Sequence, residues 1–253
     1  MKNDTLKISI LCFLSIFFIG RSFGQTTSND STYLNSTISR TTQDFYNNIG
    51  QASRLYNGHE YLPYDRQIKN TALFPYGVHS WETGQVTYDG ILYKNVPMMY
   101  DIYKDEVVIL LYNKFSMCAL LSNRVRDFSF ANHHFVRVDA DSIHNSNADM
   151  VTGFYDQLYG GKTEVLARRK KTIQNSSNAI AAPEIYFISK DEYYIKKGNV
   201  YYKVSNTRHS VLNLLKDKKS ILQKYLKDND IQYNDNPEEN MAKLTAYYDS
   251  LTN

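Results

Sequence analysis

The spacing of apolar residues divides the chain into four stretches. Ile8 to Ile19 is an apolar run with Lys2 and Lys7 before it and Ser22-Phe23-Gly24 after it. Such a run is too short to cross a membrane, and its flanks are those of a cleaved leader, so 1–24 is predicted to be a signal peptide. Residues 25–40 are mostly Ser, Thr and Asn and are expected to be a mobile start to the mature chain. Leu34, Ile38, Phe45, Ile49, Ala52 and Leu55 then recur mostly at intervals of three, four or seven. That spacing predicts a helix over 41–56, stopped at Asn57-Gly58.

Beyond Trp81 the period falls to two. Val86 to Tyr93 reads as a hairpin closed by Asp89-Gly90. Short β-type runs follow at Met98–Tyr103, Val107–Tyr112, Phe115–Leu120, Val125–Phe130, Phe135–Val138, Val151–Tyr159, Thr163–Lys171, Ile185–Ile188, Tyr193–Lys196 and Val200–Val204. With no helix between them, about eleven strands over 84–204 predict an antiparallel meander forming a curled sheet or half-barrel. Helical spacing returns over 208–253. Leu212, Leu215, Ile221, Leu222, Tyr225 and Leu226 form one stripe, breakable near Asp217, and Asn236-Pro237-Glu238-Glu239 starts a last helix facing inward through Met241, Leu244 and Tyr248. The expected class is therefore α+β, with 41–253 as a single domain.

Composition narrows the role more than it defines one. The 253 residues include 29 Lys and Arg against 26 Asp and Glu. Removing the leader, with Lys2, Lys7 and Arg21 against Asp4, leaves the remainder close to neutral, which argues against nucleic acid as a partner. Two cysteines occur in the sequence. Cys12 lies in the leader, so Cys118 cannot close an intramolecular disulfide and reads as a small buried apolar residue. No further stretch is long and apolar enough to be a transmembrane segment.

Candidate chemistry is sparse. Gly160-Gly161-Lys162-Thr163 lacks the earlier glycine of a phosphate-binding loop and reads as a hairpin turn. His133 and His134, followed by Asp139, Asp141 and His144, are metal-ligand types, but neighbouring strand residues point to opposite faces, so neither a metal nor another cofactor is expected. Glu60, Asp65, Glu82, Asp101, Asp105 and Glu106 could supply an acid–base pair that no local spacing announces. Arg168-Arg169-Lys170-Lys171 is expected on a solvated sheet rim.

The chain has 22 tyrosines, many in predicted strands, where alternate rings can line a groove or merely pair across strands. Tyr93, Tyr100, Tyr194 and Tyr202, with Arg168 and Arg169, form the candidate ligand or partner surface.

The segments Tyr56-Asn-Gly58-His-Glu-Tyr61 and Gly84-Gln-Val-Thr-Tyr88-Asp-Gly90-Ile-Leu-Tyr93-Lys-Asn-Val-Pro97-Met-Met-Tyr100-Asp101, with the pattern from Tyr193-Tyr194 to Tyr248, resemble a group of uncharacterised exported proteins of Bacteroidota that has no assigned activity. The resemblance implies export to the periplasm or cell surface. More loosely, the order of elements is similar to that of periplasmic carriers with an open barrel. Together these readings favour a non-catalytic binding module of the envelope, taking a protein partner or an amphipathic or glycan ligand. A hydrolase using an unmarked carboxylate pair and a purely structural envelope component are the alternatives.

Overall fold

The computed structural model describes residues 28–50, 53–75, 81–143, 149–176 and 184–252. The expected leader, 1–24, and His144 lie outside the described residues. The chain divides into two compact units, 1–47 and 48–253.

The first unit is represented by helix α1, Ser28–Ile49. It starts well before Thr41, so much of the segment expected to be mobile is helical. It also ends before Tyr56, because Gly50 takes a left-handed φ of 50° and closes the helix. A separate 3-10 turn, Arg54–Tyr56, is capped by the Ser53 side chain. The face expected to be buried is exposed at Leu34, Ile38 and Phe45.

The second unit is built on strands β1 His59–Glu60, β2 Leu73–Phe74, β3 Glu82–Tyr88, β4 Ile91–Asp101, β5 Glu106–Leu110, β6 Met117–Ala119, β7 Val125–Phe130, β8 His133–Val138, β9 Gly153–Tyr159, β10 Glu164–Arg168, β11 Lys171–Ser176, β12 Glu184–Ser189, β13 Glu192–Lys197 and β14 Val200–Val204. The main sheet runs β1-β6-β5-β4-β3-β7-β8-β9-β10-β13-β14, with β2 added on β4 and β11-β12 as a separate hairpin. Its neighbours are antiparallel and the path does not close on itself. Asp89 and Gly90, at φ 51° and 78°, form the tight β3–β4 turn expected of that pair.

Two expected strands, Ile91–Tyr93 and Met98–Tyr103, are one. Asn95 takes a φ of 56° and the register against β3 shifts by a residue, so β4 bends without breaking. Pro97 faces Thr83 on β3, while β5 joins the other edge of β4 only from Met98 onward. The missing Pro N–H therefore costs no sheet hydrogen bond on the β5 side.

One face of the sheet gathers its aromatic rings. Phe128 stacks on Phe135 at 4.8 Å, with Tyr100 at 5.3 Å and Phe154 at 5.1 Å from Phe128. Further along the sheet, Val165, Ala167 and Ile195 are covered by the C-terminal helices α2 Arg208–Leu214, α3 Lys219–Asp228 and α4 Pro237–Ser250. The break between α2 and α3 falls at Lys216–Lys218, as the apolar stripe predicts. Leu212, Leu215, Leu222, Met241 and Leu244 are buried against the strands. Each such side chain contributes about 1.5–3 kcal/mol by leaving water. Asn236 stands at the N-cap of α4 but makes no side-chain capping bond, and Pro237 follows it.

Candidate ligand cleft

A cleft of about 490 Å³ opens between the irregular segment 61–73 and the end of the sheet. Tyr61 and Tyr64 come from that segment, Leu73 from β2, Trp81 from the residue just before β3, Met99 from β4 and Met117 from β6, with Phe187 of β12 opposite. Ring packing fixes the wall: Tyr64 meets Phe187 edge-on at 4.9 Å and Tyr103 at 5.9 Å. Tyr61, Met99, Val108 and Ala119 form a buried cluster, against which Leu73, Trp81 and Met117 pack half-buried. The thioethers of two methionines can adjust to an irregular apolar guest.

The polar ends of these tyrosines are already used. The Tyr61 and Tyr64 hydroxyls donate to Asp101 Oδ2 at 2.9 and 2.8 Å, and the Lys104 backbone N–H donates to Asp101 Oδ1 at 2.9 Å. Asp101 is fully buried, so these three donors compensate its lost hydration. Burial first, and then Asp101 through its charge and hydrogen bonds, push both phenols up, so they stay protonated as donors. The Lys104 ammonium lies 4.6 Å from the centre of the Tyr61 ring and 4.9 Å from that of Tyr64. Behind the wall, Lys171 Nζ donates to the carbonyls of Thr71 and Leu73. Burial pulls its ammonium down to about 8, with Asp191 and Asp101 acting in the opposite sense. The cleft is bordered by ring carbons and thioethers together with the polar side chains Asn70 and Thr71 and the charged groups Asp65 and Arg66.

A second cleft, of about 600 Å³, is lined by His133, His134, Asp156, Leu158, Asn236 and Glu238, among others. Its floor is an ion cluster centred on Arg169, which is 4% exposed. The guanidinium donates to Asp156 Oδ2 through Nε at 3.1 Å and Nη2 at 2.5 Å, to Glu238 at 2.6 and 2.9 Å, and to Asp191 at 2.9 Å. Asp156 also holds His133 Nδ1 at 2.8 Å, and Tyr193 donates to Glu238 at 2.6 Å. Burial tends to raise the Glu238 carboxyl, but the Arg169 bonds outweigh it and hold it low. The cluster fastens α4 to β9 and β13. His134 meets Ser129 Oγ at 2.8 Å rather than Asp156, so the two histidines do not share a partner. Among the described residues no set of three His, Cys, Asp or Glu is placed to hold a metal ion.

The expected surface is not a surface. Tyr93, Tyr100 and Tyr194 are buried. The Tyr100 hydroxyl donates to Asp105 at 2.5 Å and that of Tyr194 to Glu192 at 3.2 Å. Tyr202, on β14, is half-buried. Arg168 is buried too, donating to Asp105 at 2.9 Å and to the Phe154 carbonyl at 3.0 Å. Arg168, Arg169 and Lys171 are thus inside the fold rather than on a solvated rim, Arg168 and Arg169 being paired with Asp105, Asp156 and Asp191, while Lys170 stays partly exposed. Lys170 pairs with Glu192 at 3.1 Å.

Gly160-Gly161-Lys162-Thr163 closes the β9–β10 hairpin, and the Thr163 N–H donates to Asp249 at 2.9 Å. Cys118 is buried and unpaired, as read. Trp81, Tyr64, Met117 and Phe187 were not singled out from the sequence. The single tryptophan, close to an aromatic, Pro-containing connector, is the signal that could have found them.

Comparison of the chain with protein-family models, with curated proteins and with solved structures gives no match.

Proposed function

We propose that the protein is a non-catalytic binding module that holds an amphipathic ligand in the cleft between Tyr61, Trp81 and Met117. The supporting observation is the wall itself: Tyr61 and Tyr64 direct their hydroxyls to buried Asp101, leaving rings, Leu73 and two methionines to meet the guest. Small-molecule sites combine such apolar walls, in a volume of roughly 300–1,000 Å³, with a few polar groups at one end. The leader-like residues 1–24 and the resemblance to exported Bacteroidota proteins support a place in the periplasm or on the cell surface.

A nonionic amphiphile, decyl maltoside below its micelle-forming concentration, tests this reading by calorimetry. Saturable binding of one molecule per chain is expected, and Met117→Lys, which places a charge in the half-buried wall, is expected to weaken it at least tenfold in a chain that circular dichroism shows to remain folded. Binding unaffected by Met117→Lys would contradict the assignment.

One observation favours hydrolysis as a second reading. Buried Asp156 orients His133 through Nδ1 at the second cleft, an arrangement suited to a general base. Loss of hydrolysis of a neutral p-nitrophenyl ester in His133→Asn, and not in His134→Gln, would support it.

A further inference from the structure

Among the described large apolar side chains of 48–253, the three most exposed are Phe115 at 87%, Leu62 at 64% and Tyr112 at 60%. All three stand at one end of the sheet. Tyr112 and Phe115 flank the tip of the β5–β6 hairpin. Leu62 follows β1, and the Tyr61 N–H donates to the Met117 carbonyl at 3.1 Å, extending the β1–β6 pairing so that Leu62 comes level with Ser116, the residue after Phe115. The tip is held in shape by its own bonds. Asn113 Oδ1 accepts the Phe115 and Ser116 N–H groups at 3.0 and 2.9 Å, while the Lys114 N–H donates to the Leu111 carbonyl and the Leu111 N–H to the Ser116 carbonyl, both at 2.8 Å. With these donors satisfied inside the hairpin, moving its tip out of water costs less than for an open loop.

Exposed apolar groups gathered at one place mark a contact surface. The charges there balance: Glu60 and Asp65 stand against Lys114 and Arg66, all exposed, and His59 meets Glu106 at 3.5 Å. No net charge is selected, and the two signs complement a zwitterionic head group, whose phosphate suits Lys114 and whose ammonium suits Glu60. A protein partner or a second copy needs a broad surface, roughly 800 Å² a side, whereas a bilayer interface takes up single projecting rings with a lysine beside them. We infer that this end of the sheet docks on a zwitterionic lipid bilayer, with Phe115 and Leu62 in the acyl boundary, Tyr112 at the head groups and Lys114 reaching the phosphates. Tyr61, Pro63 and Met117, near neighbours of these residues in the chain, line the cleft. The docked surface therefore adjoins the cleft, and the membrane is the source of its amphiphile, a step that rests on the proposed binding role.

Flotation of the full chain with vesicles of phosphatidylcholine tests the docking. Binding is expected, little changed between roughly 50 and 500 mM NaCl because apolar insertion is not screened, and no stronger with vesicles of phosphatidylglycerol. Phe115→Ser should weaken it by about tenfold or more and Leu62→Ser severalfold, since each removes an inserted apolar side chain. Both positions are exposed, so the melting temperature should not change. Decyl maltoside should bind Phe115→Ser as it binds the unaltered chain, since Phe115 does not line the cleft.

Absence of flotation with phosphatidylcholine, or flotation that survives both substitutions, would overturn the docking while leaving the cleft's binding role standing. Flotation with phosphatidylglycerol alone, lost in high salt, would overturn it in favour of charge attraction. A concentration-dependent dimer of the unaltered chain, abolished in Phe115→Ser, would assign the surface to a second copy instead. Flotation as expected without any binding of decyl maltoside would overturn the cleft reading, and with it the membrane as a ligand source, but not the docking.

Discussion

Arg169 and Asp101 illustrate how single buried charges decide what the interior can tolerate. A guanidinium that is 4% exposed is stable only because Asp156, Asp191 and Glu238 surround it. Arg169→Met leaves these acids facing one another without a cation, and is expected to cost about 3–5 kcal/mol, the penalty for breaking a buried pair. Urea denaturation measures this directly, and a loss below about 1 kcal/mol would mean that the cluster adds little. Arg169→Lys should not restore the full value, since one ammonium cannot donate to Asp156 and Glu238 in the paired way the guanidinium does.

Tyr194 gives the opposite case. Tyr194→Phe removes one bond of 3.2 Å to the Glu192 carboxylate, worth about 1.5–3 kcal/mol for a charged acceptor, and should leave ligand capture unchanged because the residue is buried away from solvent. A weakened capture in that variant would return the function to the tyrosine-bearing strands.

At the scale of elements, α4 is held to the sheet by charge at its first turn and by apolar packing along its length. Burial alone would raise the Glu238 carboxyl, but Arg169 brings it below the ordinary glutamate value. Glu192, similarly, is held at about 2 by hydrogen bonds from Lys203 and Lys170 that exceed its burial penalty. A carboxyl whose folded pKa lies below its unfolded one binds its proton more readily in the unfolded chain. The stability it contributes is therefore complete above the unfolded value and is lost as the pH falls through the folded one. Melting temperature should fall as the pH drops from about 4.5 toward 2, and Glu238→Gln should make that fall shallower. An identical acid limb in Glu238→Gln would contradict this role for the α4 anchor.

Much of this level was legible in the sequence. Period-two runs placed the main strands, Asp89-Gly90 placed its turn, and the break near Asp217 divided α2 from α3. Strands β1 and β2, of two residues each, and the polar strand β11 had no period to betray them. The bulge at Asn95 disguised β4 as two strands. At α1, Gly50 rather than Gly58 ends the helix, because its left-handed φ stops the helix before the apolar spacing does.

At the largest scale, the unit 48–253 is built on an open, mostly antiparallel sheet with many buried phenols. A strand pattern does not show which distant residues meet: Tyr100 meets Asp105 nearby, but Arg168 meets that same Asp105 from 63 positions away and Arg169 meets Glu238 from 69, which is how these side chains come to be buried. Burial is the first cause of raised phenol values at Tyr155, Tyr193, Tyr194, Tyr201 and Tyr233. A phenol whose folded pKa is raised contributes stability that is complete below the unfolded value near 10 and is lost as the pH rises above it. Phenolate absorbance should therefore appear in two stages, the exposed tyrosines first and the buried ones together with unfolding. A single smooth titration completed while the fold persists would contradict the burial of these rings.

The binding role itself is tested most directly by contact quenching of Trp81 with a decyl chain that carries bromine near its end. Bromine quenches indole emission only at close approach, and Trp81 is the sole indole in the sequence. The expected result is saturable quenching at one chain per protein, relieved by unbrominated decanoate and lost in Met117→Lys. Quenching that rises linearly without saturation, or that is the same in Met117→Lys, would contradict a ligand seated between Trp81, Met99 and Met117.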